Sequence, residues 1–400
     1  MKKIEAFSLP KSIWAIGLMT LLMNVSTVII FSLSPLYLTK VLGVSALGIG
    51  VLEGIVEFIS WTTRVFSGVI SDAMRKRKPL LVLAVGLTCI ARPLFAMAST
   101  LTGIFISRGI DRIANGLQAP PRDALIGDSA PKGKLGAAYG MRQSLGMIGS
   151  TVGAVVTLLW LQSTGSDFKQ LFWFAAISPF IALIFILFMV KDNTAVAKKE
   201  QANPLKAKHH LTLYHIKTLP MDYWRFLLVA FIFCMSTYSG AFMILRGEEI
   251  AKVATVGPAI MIAQNTLAML VAYPLGRLFD RFDHRYLLAI GFSIVIFANT
   301  IFAFAESFTL VLAGAAFWGM QMGINQSLLT ATISSTSSEA NRGTAFGIYY
   351  ITAGSAIFLA NSIVGSFAKL YGLQNAFFYS SGMAILAMIC LPMLKKRKTK

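Results

Sequence analysis

Charge is what this chain has least of. Only 13% of its 400 residues are charged and 56% are hydrophobic, whereas soluble domains carry about a quarter charged residues. That excludes an ordinary soluble fold. Cysteine is almost absent: Cys89, Cys234 and Cys390 stand far apart, with no C-x-x-C or metal-ligand spacing. Neither a disulfide framework nor a metal centre is expected, and no cofactor is implied. The four histidines all fall outside the long apolar runs, so a proton carried within those runs has to ride on a carboxylate. No G-x-x-x-x-G-K-[ST] occurs, which leaves no sequence basis for ATP hydrolysis. A cleavable leader is not expected, because the first apolar run is of full span length and continues into more membrane.

What is present is apolar length. The chain holds 29 Phe and 18 Met, and apolar runs recur at about 20 residues, enough to cross a bilayer. Twelve spans are expected, at roughly 13–37, 46–70, 79–99, 101–120, 136–161, 170–190, 226–245, 255–276, 286–304, 307–330, 345–366 and 373–393. The net charge of +19 raises the question of nucleic acid, and the distribution answers it. Of the 36 Lys and Arg, 26 fall on one side of this arrangement, five on the other and five within spans. The positive-inside rule then puts both termini and the central loop in the cytoplasm and removes nucleic acid as a partner. Membrane lipid surrounds the chain, and it is expected to work as a monomer.

The organisation is a duplication. A polar, Lys-rich stretch over 191–225 separates an amino-terminal bundle, 1–190, from a carboxy-terminal one, 226–400. His209, His210 and His215 lie in it and read as part of a basic linker. Gly276 and Asp280 in "GRLFDRFDHRYLL" follow Gly68 and Asp72 in "GVISDAMRKRKPLL" by 208 residues, and Gly347 follows Gly140 by 207. Two independent pairs at nearly one offset argue for two pseudo-symmetric six-helix bundles.

These motifs resemble those of the major facilitator superfamily across essentially the whole chain. Its loop signature G-x-L-a-D-r-x-G-R-K is met by Gly68, Ile70, Asp72, Lys76 and Arg77, and again by Gly276, Leu278, Asp280 and Arg281. The fourth-span signature R-x-x-q-G is met by Arg112 and Gly116, with Asn115 at the amide position. Gly140, Gly149 and Gly153 meet part of the antiporter signature of the fifth span. A narrower resemblance is to a bacterial branch with E-G-x-x-E in the second span and a P-R-D-A-L loop after the fourth. Glu53, Gly54 and Glu57, then Arg108, Asp111, Arg112, Gly116 and Pro121 to Leu125, match it, while Asn115 and Gln118 stand where that branch has Lys and Arg. The resemblance implies an all-α integral membrane protein of twelve helices that rocks two bundles about a central site. It also implies a cytoplasmic gate at Gly68, Asp72, Lys76, Arg77, Arg122, Asp123, Gly276, Asp280 and Arg281.

A charge at the bilayer centre is costly, about 2.5–3.5 kcal/mol on insertion scales, so those that persist need a reason. Counted at about 1.5 Å per residue from the outer ends, Glu57 and Arg112 lie at one depth near mid-bilayer, and Glu53 and Arg108 at another. Arg92 reaches a similar depth from inside. Of 17 Asp and Glu only Glu53, Glu57 and Asp111 lie well inside spans. They are the candidates for the coupling proton, with Arg92, Arg108, Arg112 and Arg142 as their charge partners; a purely structural clamp is the other reading. Arg64 lies nearer the cytoplasmic headgroups and is expected to snorkel. The family architecture would line the cavity with Asn24, Tyr37, Arg112, Tyr238, Trp318, Gln321, Asn325 and Gln326. Amides, aromatics and Arg suit a polar solute with an anionic group. The expectation is a proton-coupled secondary transporter of the bacterial inner membrane, leaning to export by antiport. Import of an anionic solute or a metal chelate by symport is the alternative, and a channel or a membrane-embedded enzyme the outside readings.

Overall fold

In a computed structural model, residues 9–74, 77–131, 135–164, 168–190, 218–279, 284–336 and 342–394 are described. Helices account for nearly all of them and no strand occurs among them. In chain order they are α1 (Lys11–Leu36), α2 (Ala46–Met74), α3 (Lys78–Met97), α4 (Leu101–Ser129), α5 (Leu135–Thr164), α6 (Phe168–Met189) and α7 (Met221–Cys234). There follow α8 (Gly240–Ala251), α9 (Val256–Phe279), α10 (His284–Phe304), α11 (Phe308–Thr336), α12 (Arg342–Tyr371) and α13 (Leu373–Cys390). The linker lies outside the described residues except at its last positions, from Thr218 on.

Among the described residues eight helices are long and apolar enough to cross a membrane. The fourth helix carries Arg108, Asp111, Arg112, Arg122 and Asp123 within its length, which dilutes its apolar character. In the eighth and tenth expected spans the described side chains cover the apolar stretches Val256–Val271 and Phe308–Met322, within helices that run over Val256–Phe279 and Phe308–Thr336. The seventh expected span is interrupted: α7 stops at Cys234 and α8 starts at Gly240. The interruption reads "MSTYS", and short hydroxyl side chains compete with the helix for backbone groups. Ser236 Oγ donates to Phe233 O at 2.6 Å and Thr237 Oγ1 to Cys234 O at 2.6 Å. Ser239 caps the restart, accepting from Ala241 N at 3.2 Å.

The first span departs from regularity too. Pro35 has no N–H to donate and its ring crowds the preceding turn, and the helix continues as a π turn over Tyr37–Val41. Thr39 Oγ1 donates to Pro35 O at 3.0 Å. Gly43, at φ +65°, closes the segment.

The described residues cluster into two compact units. One comprises those within Met1–Phe31 and Ile59–His210, the other those within Ser32–Phe58 and Leu211–Lys400. The expected division at the linker is thus modified, because 32–58 groups with the second half. The reason is close helix packing. A methyl added at Gly54 would sit 2.9 Å from the Phe358 carbonyl oxygen, and one at Gly365 would sit 2.8 Å from that of Ala46. The first part of α2 therefore lies backbone to backbone on α12, the small-residue contact that lets membrane helices approach.

Inside the first unit, Ile13, Ile16, Met19, Leu81, Val85, Cys89, Leu125, Ile126, Ala138 and Ile186 form one buried cluster joining α1, α3, α4, α5 and α6. Glycines set the α1–α5 approach: a methyl at Gly153 would lie 2.7 Å from Val25 O, and one at Gly149 would overlap Leu21 O. The second unit is cored by rings, with Phe233 stacked on Phe292 at 4.3 Å and Tyr238 tilted against Trp318 at 4.4 Å. Cys89 and Cys234 are buried packing residues.

Candidate functional site

The charges inside the first unit converge. Arg92, on α3, is 4% exposed and donates to Asp111 Oδ1 at 3.0 Å and to Thr27 Oγ1 at 2.8 Å. Arg112 approaches the other carboxylate oxygen of Asp111 at 3.8 Å. One acid on α4 is thus shared by two guanidinium groups, one from the neighbouring α3 and one from its own helix. Arg108, a turn before Arg112, is 5% exposed and stacks over the Phe31 ring at 5.9 Å. Burying a guanidinium is tolerable only where a counter-charge and hydrogen bonds replace water, and Asp111 with Thr27 supplies both for Arg92. Asp111 was among the expected carboxylates of the spans, and Arg92 and Arg112 among their expected charge partners.

This cluster opens on a small polar cavity of about 50 Å³. Asn24, Thr27, Thr88, Arg92, Asp111, Arg112, Asn115, Gln118 and Arg122 contribute to its lining. A space of that size holds about one or two waters. Asn24 is anchored by donating to Gly146 O at 2.8 Å, so its amide oxygen is the group left for a solute. Asn115 accepts from Ser60 Oγ at 3.2 Å and from Arg64 at 3.3 Å. Arg64 lies 4.7 Å over the Trp61 ring. It is thus held by an aromatic face and an amide.

The residues expected to form a gate in the first unit are only partly brought together. Arg77 pairs with Asp128 at 2.8 Å, an acid near the end of α4 that motif matching passed over. Arg122 and Asp123 pair at 2.9 Å, and Arg142 reaches the same Asp123 oxygen at 4.0 Å. Tyr139 donates to the Asp123 carbonyl at 2.7 Å. Arg142, open in sequence to a role in the cavity or as a clamp at the inner side, thus lies beside Arg122 and Asp123. Gly68 lies on α2 with open space where a side chain would begin. Lys76, Asp280 and Arg281 lie outside the described residues, as do the side chain of Asp72 and the surroundings of Gly276.

The second unit places its candidates differently. Tyr37, Tyr238, Trp318 and Gln321 are all buried. Tyr238 donates to Asn299 Oδ1 at 2.7 Å, and Asn299 donates to Ser380 Oγ at 2.8 Å. The side chains of Asn325 and Gln326 lie outside the described residues. Glu53 is 1% exposed and accepts from Ser239 Oγ at 3.1 Å, whereas Glu57, one turn along, is only half-buried. At the outer end Lys40 pairs with Glu248 at 2.8 Å and Arg246 with Glu249 at 2.9 Å. Arg246 also donates to the carbonyls of Phe302 and Ala305, satisfying the end of α10. Asn299, Asn361 and Ser380 escaped the sequence reading; the signal available was polar side chains within otherwise apolar runs.

Membrane-length apolar helices whose ions lie in packed interiors, beside a small polar cavity, are the build of a membrane carrier. The chain belongs to the Major Facilitator Superfamily, whose sequence profile matches residues 16–263 and 255–400. It is a transporter and not an enzyme. An MFS-type transporter of Methanocaldococcus jannaschii is 29% identical over 389 residues, covering 96% of this chain and 94% of that protein. The lysosomal dipeptide transporter MFSD1 of Homo sapiens is 23% identical over 187 residues, 47% of this chain and 39% of that protein. Among solved structures, the nucleoside transporter NupG superposes with a TM-score of 0.77 at 13% identity, over 96% of this chain and 99% of that one. A D-xylose-proton symporter gives 0.74 at 15%, over 98% and 99%. At these identities the structures speak for the fold.

Proposed function

We propose that the chain is a proton-coupled secondary active transporter that moves a small polar, anionic organic solute across the bacterial inner membrane. It crosses the bilayer twelve times in two six-helix bundles, keeps both termini in the cytoplasm, and works as a monomer by alternating access. The direction is export by antiport. The observation that carries this reading is the cluster of Arg92, Asp111 and Arg112 at the polar cavity. Guanidinium groups pre-organised by a shared carboxylate offer fixed donors to an anionic group. The amides of Asn24, Asn115 and Gln118 surround them with neutral hydrogen-bonding capacity. One of the solved structures of similar fold is described as a proton symporter, which supports the proton as the driving ion. Its gradient supplies about 2.3 kcal/mol per charge per 100 mV in electrical form.

Glu57 is the assigned coupling carboxylate, being less buried than Glu53. Glu57→Gln keeps shape and hydrogen bonding but fixes the neutral form. In inverted vesicles screened against a library of organic anions, the native protein should accumulate its solute when the interior is acidified. The variant should exchange solute across the membrane at an equilibrium rate close to native while no longer concentrating it. A folded Glu57→Gln protein that still concentrates solute would refute the assignment. Accumulation only under the reversed gradient would turn the reading to symport.

A further inference from the structure

The break in the seventh span meets a buried carboxylate. Ser239 sits there with three bonds. Its hydroxyl donates to Glu53 Oε2 at 3.1 Å and accepts from Ala241 N at 3.2 Å, while its own N–H donates to Asn361 Oδ1 at 2.8 Å. Asn361 in turn donates through Nδ2 to Ile357 O at 2.8 Å, which fixes the amide with its oxygen towards Ser239. Behind this line Ser380 donates to the Ser236 carbonyl. Backbone groups freed by the break are thus met by side chains, as a membrane interior demands. The break is part of the fold. Gly54 and Gly365 bring α2 and α12 close enough for a carboxylate at position 53 to reach the first residue of α8.

We propose that Glu53, positioned by Ser239 and Asn361, is the proton-sensitive latch that holds the outer end of α2 against the broken seventh span. This rests on the reading of the chain as a proton-coupled carrier and adds to it the group that ties protonation to the outer gate. When ionised, Glu53 can only accept, and the Ser239 hydroxyl bond to it is charge-assisted, about twice as strong as a neutral one. The first turn of α8 adds a favourable partial positive charge. A proton arriving from the outer water gives the carboxyl an O–H donor and leaves it an accepting oxygen, so its bond with the Ser239 hydroxyl becomes neutral. The one covalent bond that forms is the carboxyl O–H, and it breaks when the proton leaves. The deprotonated, empty carrier therefore rests with its outer end held shut. That suits exchange, because a symporter has to reopen outward in that same deprotonated, empty form.

The same unit carries other ionisable groups. Glu57 lies one turn along the same helix. Tyr238 donates to Asn299, Arg246 holds Glu249 and two carbonyls, and Glu248 pairs with Lys40. Between Tyr350 and Lys369, α12 has no ionisable side chain. Arg108 of the fourth span lies at the depth of Glu53 by residue count.

The test needs no solute. Spin labels at Ser45→Cys and Leu370→Cys, with Cys390 replaced by Ser, report the outer separation of α2 and α12 in nanodiscs by pulsed electron resonance. At neutral pH the native protein should give one short distance, and acid should add a longer one. Glu53→Gln should show the longer distance at both pH values, with the ratio of long to short raised about tenfold at neutral pH, the difference between a charge-assisted and a neutral bond. Ser239→Ala should raise it likewise and Ser239→Thr restore it. A native protein without a pH response, or a Glu53→Gln protein that keeps the native response, overturns the latch. Should Glu53→Gln fail to fold, an unchanged response in Ser239→Ala overturns it instead. A latch that responds through Glu53 in a carrier whose transport ignores the proton gradient would refute the coupling and leave the latch in place.

Discussion

Asp111→Asn isolates the central cluster. Arg92 is 4% exposed, and Asp111 meets it at 3.0 Å while approaching Arg112 at 3.8 Å. Replacing the acid by its amide preserves volume and leaves Arg92 with Thr27 as a neutral partner. Removing one member of a buried pair costs about 3–5 kcal/mol, because the remaining charge stays in a low-dielectric site. That is two to three orders of magnitude in the folding equilibrium at about 1.4 kcal/mol per decade. The double change Asp111→Asn with Arg92→Gln removes both charges and should recover most of the loss, since replacing an entire buried pair is often close to neutral. Melting curves of the detergent-purified native, single and double variants close the cycle. An Asp111→Asn protein that melts within about 1 kcal/mol of native would refute the reasoning. So would a double variant no more stable than the single ones. Under that result Asp111 would be carrying the proton itself, since a neutral Asp111 would already be compatible with the fold.

Further outcomes follow from the same geometry. In intact cells a Cys at Lys252 should react with an impermeant thiol reagent and a Cys at Lys206 should not; the reverse pattern overturns the orientation. Gly149→Ala should lower folded yield sharply, because its new methyl would overlap the Leu21 carbonyl, whereas Gly68→Ala, with open space around it, should be tolerated or stabilise by about 0.5–1 kcal/mol. Comparing the two by size-exclusion and melting checks both. Asp128→Asn should cost less than about 1 kcal/mol of stability, as both partners are about one-fifth exposed. It should nevertheless shift the balance of inward and outward states, read by thiol accessibility at the cytoplasmic ends of α2 and α4.

The candidate site was legible in part. Arg92, Arg108, Asp111 and Arg112 stand out in a sequence because a charge in an apolar run is expensive and therefore noticed. Their depth follows from counting residues along a helix of fixed rise. Pairing does not follow, since counting gives height and not azimuth. Glu53 bonds to Ser239 across 186 residues of chain, a contact that depth alone does not give. Asp128 was passed over because nothing local marks it: its partner Arg77 lies on another element, ahead of α3. The fifth-span glycines read as an antiporter signature also have a packing role, which shows only when α1 is laid against α5.

What the sequence determined by itself is whatever depends on one residue at a time or on a short period. Apolar length fixed a membrane-embedded helical protein, the Lys and Arg count pointed to an orientation, and the two offsets near 208 pointed to a duplication. The break in the seventh span was decided by tertiary structure. A run such as "CMSTYSG" is compatible with a continuous helix, and it opens here because Asn361, Ser380 and Glu53 come from distant segments to satisfy the groups it frees. The grouping of 32–58 with the second half is likewise a matter of surfaces. Glycine is cheap to read as a turn, but Gly54 and Gly365 act by what they leave out, a side chain whose absence lets two backbones touch. Only the partner helix makes that absence count.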